Sequence, residues 1–347
     1  MSFPALAPAP VQSTTPLDRR QRPVHDLRLS VIERCNLRCR YCLPAETFGP
    51  DYAFLPEKAL LSVNGLYKMA AAAVELGARK VRLTGGEPLL RRDLPEIVAR
   101  IAGLDLDDLA LTTNGIALAR LAPILKTAGL QRVNVSLDAL DPEVLAQVAG
   151  RQIDPSIILR GISAAQAAGL GVKVNTVIQR GLNDDQVLPL ARWGRREGIT
   201  IRFIEYMDVG NQNRWDRSQV YSGREALETL EREWPLVPVE PAYAGEVARR
   251  YRYADGAGEI GLINSITQPF CGNCSRLRVT ARGEVLTCLF AQRGLSVRHW
   301  VEDPLMTSDD LAFHLRRLWA KRSDAYSEQR QSATAPQTKR EMWEIGG

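Results

Sequence analysis

From about residue 26 the chain alternates short apolar, β-branched runs with longer stretches in which apolar positions recur every three or four residues. The short runs, at 27–32, 80–83, 109–113, 132–137, 172–178 and 200–204, predict strands. The stretches at 66–75, 94–101, 118–128, 157–168 and 186–196 predict amphipathic helices. Gly77, Gly129, Gly169 and Gly198 follow helical stretches, where a helix C-terminus favours glycine. Six strand–helix units argue for an α/β protein with a parallel sheet and crossover helices. Polar residues gather just past the strands: Gly85-Gly86-Glu87-Pro88 after the second, Thr113-Asn114-Gly115 after the third, and Ser136 and Asp138 after the fourth. Asn175 lies within the fifth, and Glu205 and Met207 follow the sixth. Active sites of parallel barrels sit at the carboxyl ends of their strands. This grouping predicts an incomplete (βα)6 TIM-type barrel with one shared mouth.

Beyond about 220 the period changes. Short strand-like runs at 251–253, 259–263, 277–280 and 285–289, with a hairpin turn at Ala281-Arg282-Gly283-Glu284, predict a C-terminal α+β region. Residues 1–22 are rich in Pro, Ser, Thr and Ala without periodicity and read as a disordered leader. The expected organisation is a leader at 1–22, a barrel at 23–235, a C-terminal region at 236–322, a flexible polar linker at 323–338 and a tail at 339–347. That tail, Met342-Trp343-Glu344-Ile345-Gly346-Gly347, regains apolar character.

Composition narrows the classes. With 45% apolar and 24% charged residues in 347, the chain has the makings of a core and is not a disordered polymer. No apolar run approaches the about 18 residues of a membrane span, so no membrane partner is expected. The prolines near the N-terminus fall where a signal peptide would be apolar, which predicts a cytoplasmic protein. A net charge of +5 suits an anionic ligand. Aromatics are only 6% and form no strip interleaved with basic residues, so no nucleic-acid partner is expected.

The six cysteines fall into two tight groups, Cys35, Cys39, Cys42 and Cys271, Cys274, Cys288. Clustered cysteines in a reducing compartment are metal ligands more often than disulfides. Each group offers three thiolates and no nearby fourth Cys or His, whereas a structural zinc takes four ligands. Three thiolates suit a 4Fe-4S cluster with one open iron. A zinc site completed from elsewhere in the chain is the alternative. Arg276 and Arg278 follow Cys274 at alternate strand positions, so their guanidiniums share a face suited to polyphosphate. Arg28, Arg82, Lys173 and Arg202 also sit on predicted strands, and several buried cations on one inner face imply an anion between them.

The spacing Cys-x3-Cys-x2-Cys at Cys35, Cys39 and Cys42, with Gly85-Gly86-Glu87-Pro88, resembles the radical S-adenosylmethionine superfamily. Three further features carry the resemblance to the GTP 3′,8-cyclase family within it: Pro-Phe-Cys-x2-Cys-x-Arg-x-Arg at 269–278 with Cys288, the segment Arg202-Phe203-Ile204-Glu205-Tyr206-Met207, and the Gly-Gly end. That resemblance implies two 4Fe-4S clusters, S-adenosyl-L-methionine as cofactor and GTP as substrate. Cys35, Cys39 and Cys42 would hold the first cluster, and Tyr41, Gly86, Ser136 and Met207 would contact S-adenosylmethionine. Arg28, Arg82, Thr113, Lys173, Arg276, Leu277 and Arg278 would line the GTP site, and Cys271, Cys274 and Cys288 would hold the second cluster. Gly346 and Gly347 would reach the mouth and take part in catalysis. It further implies a one-electron reductant, a homodimer, and delivery of the product to a cyclic pyranopterin monophosphate synthase in molybdenum cofactor biosynthesis. A peptide- or sulfatase-modifying radical enzyme, or a zinc-containing nucleic-acid-binding module, would be the alternatives.

Overall fold

The computed structural model describes residues 15–49, 51–243, 245–330 and 339–346. Residues 1–14 of the expected leader, 331–338 of the expected linker, and Gly347 lie outside the described residues. Twelve strands form one sheet: β1 (Asp26–Ser30), β2 (Lys80–Thr84), β3 (Asp108–Thr113), β4 (Arg132–Ser136), β5 (Gly171–Ile178), β6 (Thr200–Glu205), β7 (Leu236–Val239), β8 (Arg249–Tyr253), β9 (Glu259–Ile263), β10 (Arg276–Val279), β11 (Glu284–Leu286) and β12 (Leu295–Ser296). Their order is β12-β11-β10-β1-β2-β3-β4-β5-β6-β9-β8-β7.

The six strands expected from the sequence are the middle of this sheet, in order and parallel. The expectation of six parallel strands is exceeded, because β10 joins β1 and β9 joins β6, both parallel. The C-terminal region is therefore continuous with the sheet. Antiparallel ribbons, β11–β12 and β8–β7, continue it at either end, and the sheet does not close. The physical reason is the edge: without β9 and β10, β6 and β1 would present rows of unpaired N–H and C=O groups.

The helices are α1 (Val63–Glu75), α2 (Leu94–Ala102), α3 (Leu118–Thr127), α4 (Pro142–Ala149), α5 (Pro155–Ala167), α6 (Val187–Glu197), α7 (Gly223–Glu231), α8 (Arg298–Glu302), α9 (Ser308–Ala320), α10 (Tyr326–Gln329) and α11 (Met342–Ile345). The sequence pattern did not reveal α4. Asp141 caps it by accepting from the N–H groups of Glu143 and Val144, with Pro142 in the first turn. None of the helices is long and apolar enough to cross a membrane.

Parity along the strands sorts the two faces. Odd-numbered positions such as Leu27, Leu29, Val81, Leu83, Leu109, Leu111, Val133 and Val135 are buried in the main core. Each such side chain contributes roughly 1.5–3 kcal/mol by burial. Even-numbered positions carry Arg28, Ser30, Arg82, Thr84, Asn134, Ser136 and Arg202, and on β5, where the pleat is offset by one, Lys173 and Asn175 take the same face. Parallel strands are usually apolar on both faces. Here the second face is polar because it bounds a string of cavities.

Candidate functional site

The loop after β1 carries the first three thiols, and its neighbours fix its course. Arg38 and Arg40 donate backbone N–H groups to the carbonyls of Ala149 and Val148 at the end of α4, both at 3.0 Å. The Arg38 guanidinium turns back to the carbonyls of Cys35 and Leu37. The N–H groups of Gly86 and Glu87 donate to Ile32 and Arg34 at 2.8 and 2.9 Å. A Cβ on Gly86 would lie 2.1 Å from the Glu33 carbonyl, so only glycine lets the two segments meet this closely. Glu87 is not free for a ligand: its carboxylate accepts from the Thr113 hydroxyl and from the N–H groups of Leu89 and Asn114. Burial nevertheless pushes its pKa up to about 7.

A cavity of about 170 Å³ is lined by Cys35, Cys39, Tyr41, Cys42, Gly86, Ser136 and Asp138, with Asn175 and Trp343. Tyr41 donates its hydroxyl to Asp138 at 2.9 Å, and burial raises that carboxyl to about 6. Burial pushes the Cys35 thiol up to about 11, with the Glu87 charge adding to it. Cys39 is raised by burial first and then by Cys35, Asp138 and Cys42, so the three thiols stand within electrostatic reach of one another. All six cysteines are free.

A second cavity, of about 160 Å³, is lined by Cys271, Cys274, Cys288, Arg28, Arg276, Arg278 and Met207. It shares Asn175, Val177, Ile204 and Met342 with the first, so the two thiol groups face adjoining spaces. Burial alone would raise the Cys274 thiol, but Arg276 and Arg322 bring it down to about 6. Ser30 Oγ, Thr112 Oγ1, Asn134 Nδ2 and Asn175 Oδ1 are buried on this same face without a hydrogen-bond partner among the described residues. Each orphan costs about 1–3 kcal/mol unless a ligand pairs with it.

A third cavity, of about 270 Å³, lies toward the strand N-termini and is lined by Lys80, Arg82, Arg132, Lys173 and Arg202. It shares Val247 with the second. Strand register explains the grouping. Arg278, Arg28 and Arg82 are successive cross-strand partners, and Arg132 stands two strands further, opposite Ala110 of β3. Arg132 pairs with Asp108. Among the described residues, Arg28, Arg82, Lys173 and Arg202 make no ion pair. Burial lowers the Lys173 ammonium to about 8, with Arg202 and Arg132 adding to the shift. Burial lowers Arg202 to about 10, followed by the charges of Arg82 and Arg132. Asp26, Asp108, Glu246 and Glu259 line the same cavity, but cations this deep without an ion pair remain costly and suit an anion.

The expected site residues divide as follows. Tyr41, Gly86 and Ser136 line the first cavity, while Met207 lines the second. Thr113 does not join the basic cavity; it lines the first cavity, where its hydroxyl donates to Glu87. Leu277 is buried in the core, leaving only its backbone for the cavity side. Arg278 already donates to the Gly346 carbonyl at 2.7 Å and that of Ile345 at 3.3 Å. The tail thus enters the mouth. Trp343 packs edge-on against Phe48, Tyr52 and Phe54, and Ile345 lies with Val209, Leu286 and Phe290. Gly346 has φ +64°, and a Cβ there would fall 2.1 Å from Thr84 Cγ2. Gly346→Ala is therefore expected to dislodge the tail at a cost of about 1–3 kcal/mol, seen as faster hydrogen exchange over 339–346. Unchanged exchange would contradict this packing.

Known proteins match this geometry. A family model described as Radical SAM superfamily matches residues 29–194, and one described as Molybdenum Cofactor Synthesis C matches 199–328. A GTP 3′,8-cyclase of Acidothermus cellulolyticus is 52% identical over 314 residues, covering 89% of this chain and 87% of that one. The chain belongs to the GTP 3′,8-cyclase family. Relatives with the same name from Xanthomonas axonopodis pv. citri and Staphylococcus aureus are 48% and 44% identical, covering 96% and 95% of this chain and 100% and 98% of theirs. The Streptococcus suis SuiB structure bound to S-adenosylmethionine has a TM-score of 0.59 at 15% identity, covering 82% of this chain and 67% of that one. That likeness concerns the fold.

Within this member of the GTP 3′,8-cyclase family, sequence reasoning missed four contributors. Arg132 shares the parity of Asn134 and Ser136, and that shared parity is the signal that marks it. Tyr243 stacks on His25 and lies under Lys80, whose Nζ is 3.4 Å from the ring centroid. Asp18 and Arg22 sit in the proline-rich start of the chain, where no pattern marks them.

Proposed function

We propose that this chain converts GTP to (8S)-3′,8-cyclo-7,8-dihydroguanosine 5′-triphosphate, an early step of molybdenum cofactor biosynthesis. The observation that supports it most is the run of three adjoining cavities, from one thiol triad past the other to unpaired cations. Each triad offers three thiols without a fourth protein ligand, a donor set that fits a 4Fe-4S cluster with one open iron. Cys35, Cys39 and Cys42 would hold the first cluster; with S-adenosylmethionine and one electron, it supplies the radical that takes the hydrogen from C3′ of the ribose. Tyr41, Gly86 and Ser136 would line the S-adenosylmethionine site. Asn175, which lines both thiol cavities, would meet the ribose. Cys271, Cys274 and Cys288 would hold the second cluster at the purine end.

Arg28, Arg82, Lys173 and Arg202 would hold the triphosphate by charge-assisted hydrogen bonds. That grip places C8 and C3′ of one bound molecule for ring closure, so orientation comes from binding energy spent away from the reacting atoms. Arg276 would lie along the substrate, and Gly346, with Gly347, would close the mouth and keep water from the radical. We further propose that the sheet curls as a partial barrel around these cavities.

Anaerobic reconstitution is expected to give about eight irons per chain with matching sulfide. Cys274→Ala should lower this to about four, keep 5′-deoxyadenosine formation and lose the cyclised nucleotide. An unchanged iron count in that variant would refute the assignment of the second triad.

A further inference from the structure

Asp18 and Arg22, which the sequence pattern assigns to a structureless leader, are buried to 2% exposure. Arg22 Nε donates to Asp18 Oδ2 at 2.6 Å. Its Nη1 donates to the carbonyls of Cys271 and Asp324 at 2.7 and 2.9 Å. Arg322 closes the network from the far end of the chain. It lies 3.5 Å from Asp18 Oδ2 and donates to the Cys274 carbonyl at 2.6 Å and to Asp324 Oδ1 at 3.0 Å. Asp324 Oδ2 in turn accepts from the hydroxyl of Thr287, the neighbour of Cys288, at 2.7 Å. One buried network therefore grips the backbone at Cys271 and at Cys274 and the residue beside Cys288.

This network leaves one donor over. Arg22 Nη2 is buried without a hydrogen-bond partner among the described residues, and its ion-pair partner, Asp324 Oδ1, is 3.8 Å away. Arg22 lines the same cavity as Cys271, Cys274 and Cys288. A buried guanidinium N–H that the protein leaves without a hydrogen bond is costly unless a ligand in that cavity accepts from it.

We propose that Arg22, oriented by Asp18, is a positioning residue of the second thiol triad, which fixes the Cys271 backbone and donates its remaining N–H to the group the triad holds. The inference rests on the reading of that triad as a cluster site. A donated hydrogen bond and a fixed positive charge both stabilise the reduced cluster, because cluster potentials follow net charge and hydrogen bonding to sulfur. The effect falls on the second centre alone, since Arg22 does not line the first cavity.

The test is a redox titration of the reconstituted full chain, followed by electron paramagnetic resonance, for Arg22→Lys and Arg22→Met. Both variants should shift the second centre to lower potential, Arg22→Met further than Arg22→Lys, and leave the first centre unmoved. Lysine keeps the charge but cannot bond Asp18, two carbonyls and the cavity at once. If Arg22→Met fails to hold iron at the second triad, Arg22→Lys decides alone. An unmoved second potential in the variants that hold iron overturns the proposal. Iron analysis of Cys274→Ala separates this from a failure of the cluster reading, which would leave no second signal in the parent protein either.

Discussion

Cys35→Ala abolishes formation of 5′-deoxyadenosine from S-adenosylmethionine and lowers the iron content from about eight to about four per chain. The expectation follows from the donor count. Three thiols bound the first cavity, and removing one leaves two for a cluster that already lacks a protein ligand at one iron. No nearby side chain can substitute. Glu87 is occupied by Thr113, Leu89 and Asn114, and Asp138 by Tyr41 and the N–H of Val177. The fold should survive, because the loop is held by backbone bonds to α4 and by Arg38, and the Cys35 sulfur adds only a long bond from the Leu37 N–H at 3.4 Å. Thermal unfolding of the metal-free variant should match that of the metal-free parent. Residual 5′-deoxyadenosine in Cys35→Ala at parental iron content would contradict the assignment.

Arg82→Ala weakens GTP binding about 10- to 100-fold, the value of a lost charge-assisted hydrogen bond of about 1.5–3 kcal/mol. Arg82 stands beside Arg28 in register and lines the basic cavity without an ion pair among the described residues. Burial lowers its pKa, and Arg132 lowers it further. In the nucleotide-free protein this guanidinium is a cost, since a buried charge without a partner opposes folding. The same substitution should therefore leave the melting temperature of the nucleotide-free protein unchanged or raise it. The two readouts move in opposite directions only if Arg82 serves a ligand. Calorimetric binding and thermal unfolding of the two proteins check this, and an unchanged dissociation constant with a lower melting temperature would mark Arg82 as structural.

Local pattern makes much of this legible. The period-two runs locate β1 to β6, and the basic residues Arg28, Arg82, Lys173 and Arg202 stand out within them as charges on strands that are otherwise apolar. Parity along β10 also removes the Leu277 side chain from the cavity face, and parity along β4 adds Arg132. What local pattern does not carry is pairing between distant segments. Whether 259–263 and 276–279 form their own layer or extend the sheet depends on which edges are left unpaired by the rest of the chain. The same holds for Arg22 and Arg322, which are 300 positions apart in sequence and meet across Asp18. The cysteine spacings announce the two thiol groups, but not that both face one string of cavities, because that follows from β10 lying beside β1.

The central claim is that a nucleotide occupies the space between the first thiol triad and the buried cations, with its ribose at the radical source. Under strict anoxia, the reduced and reconstituted protein should be given S-adenosylmethionine and GTP carrying deuterium at C3′ for a single turnover. Deuterium should appear in the 5′-methyl group of 5′-deoxyadenosine, alongside a cyclised nucleotide that retains the triphosphate. Formation of 5′-deoxyadenosine without deuterium, with GTP recovered intact, would contradict the account.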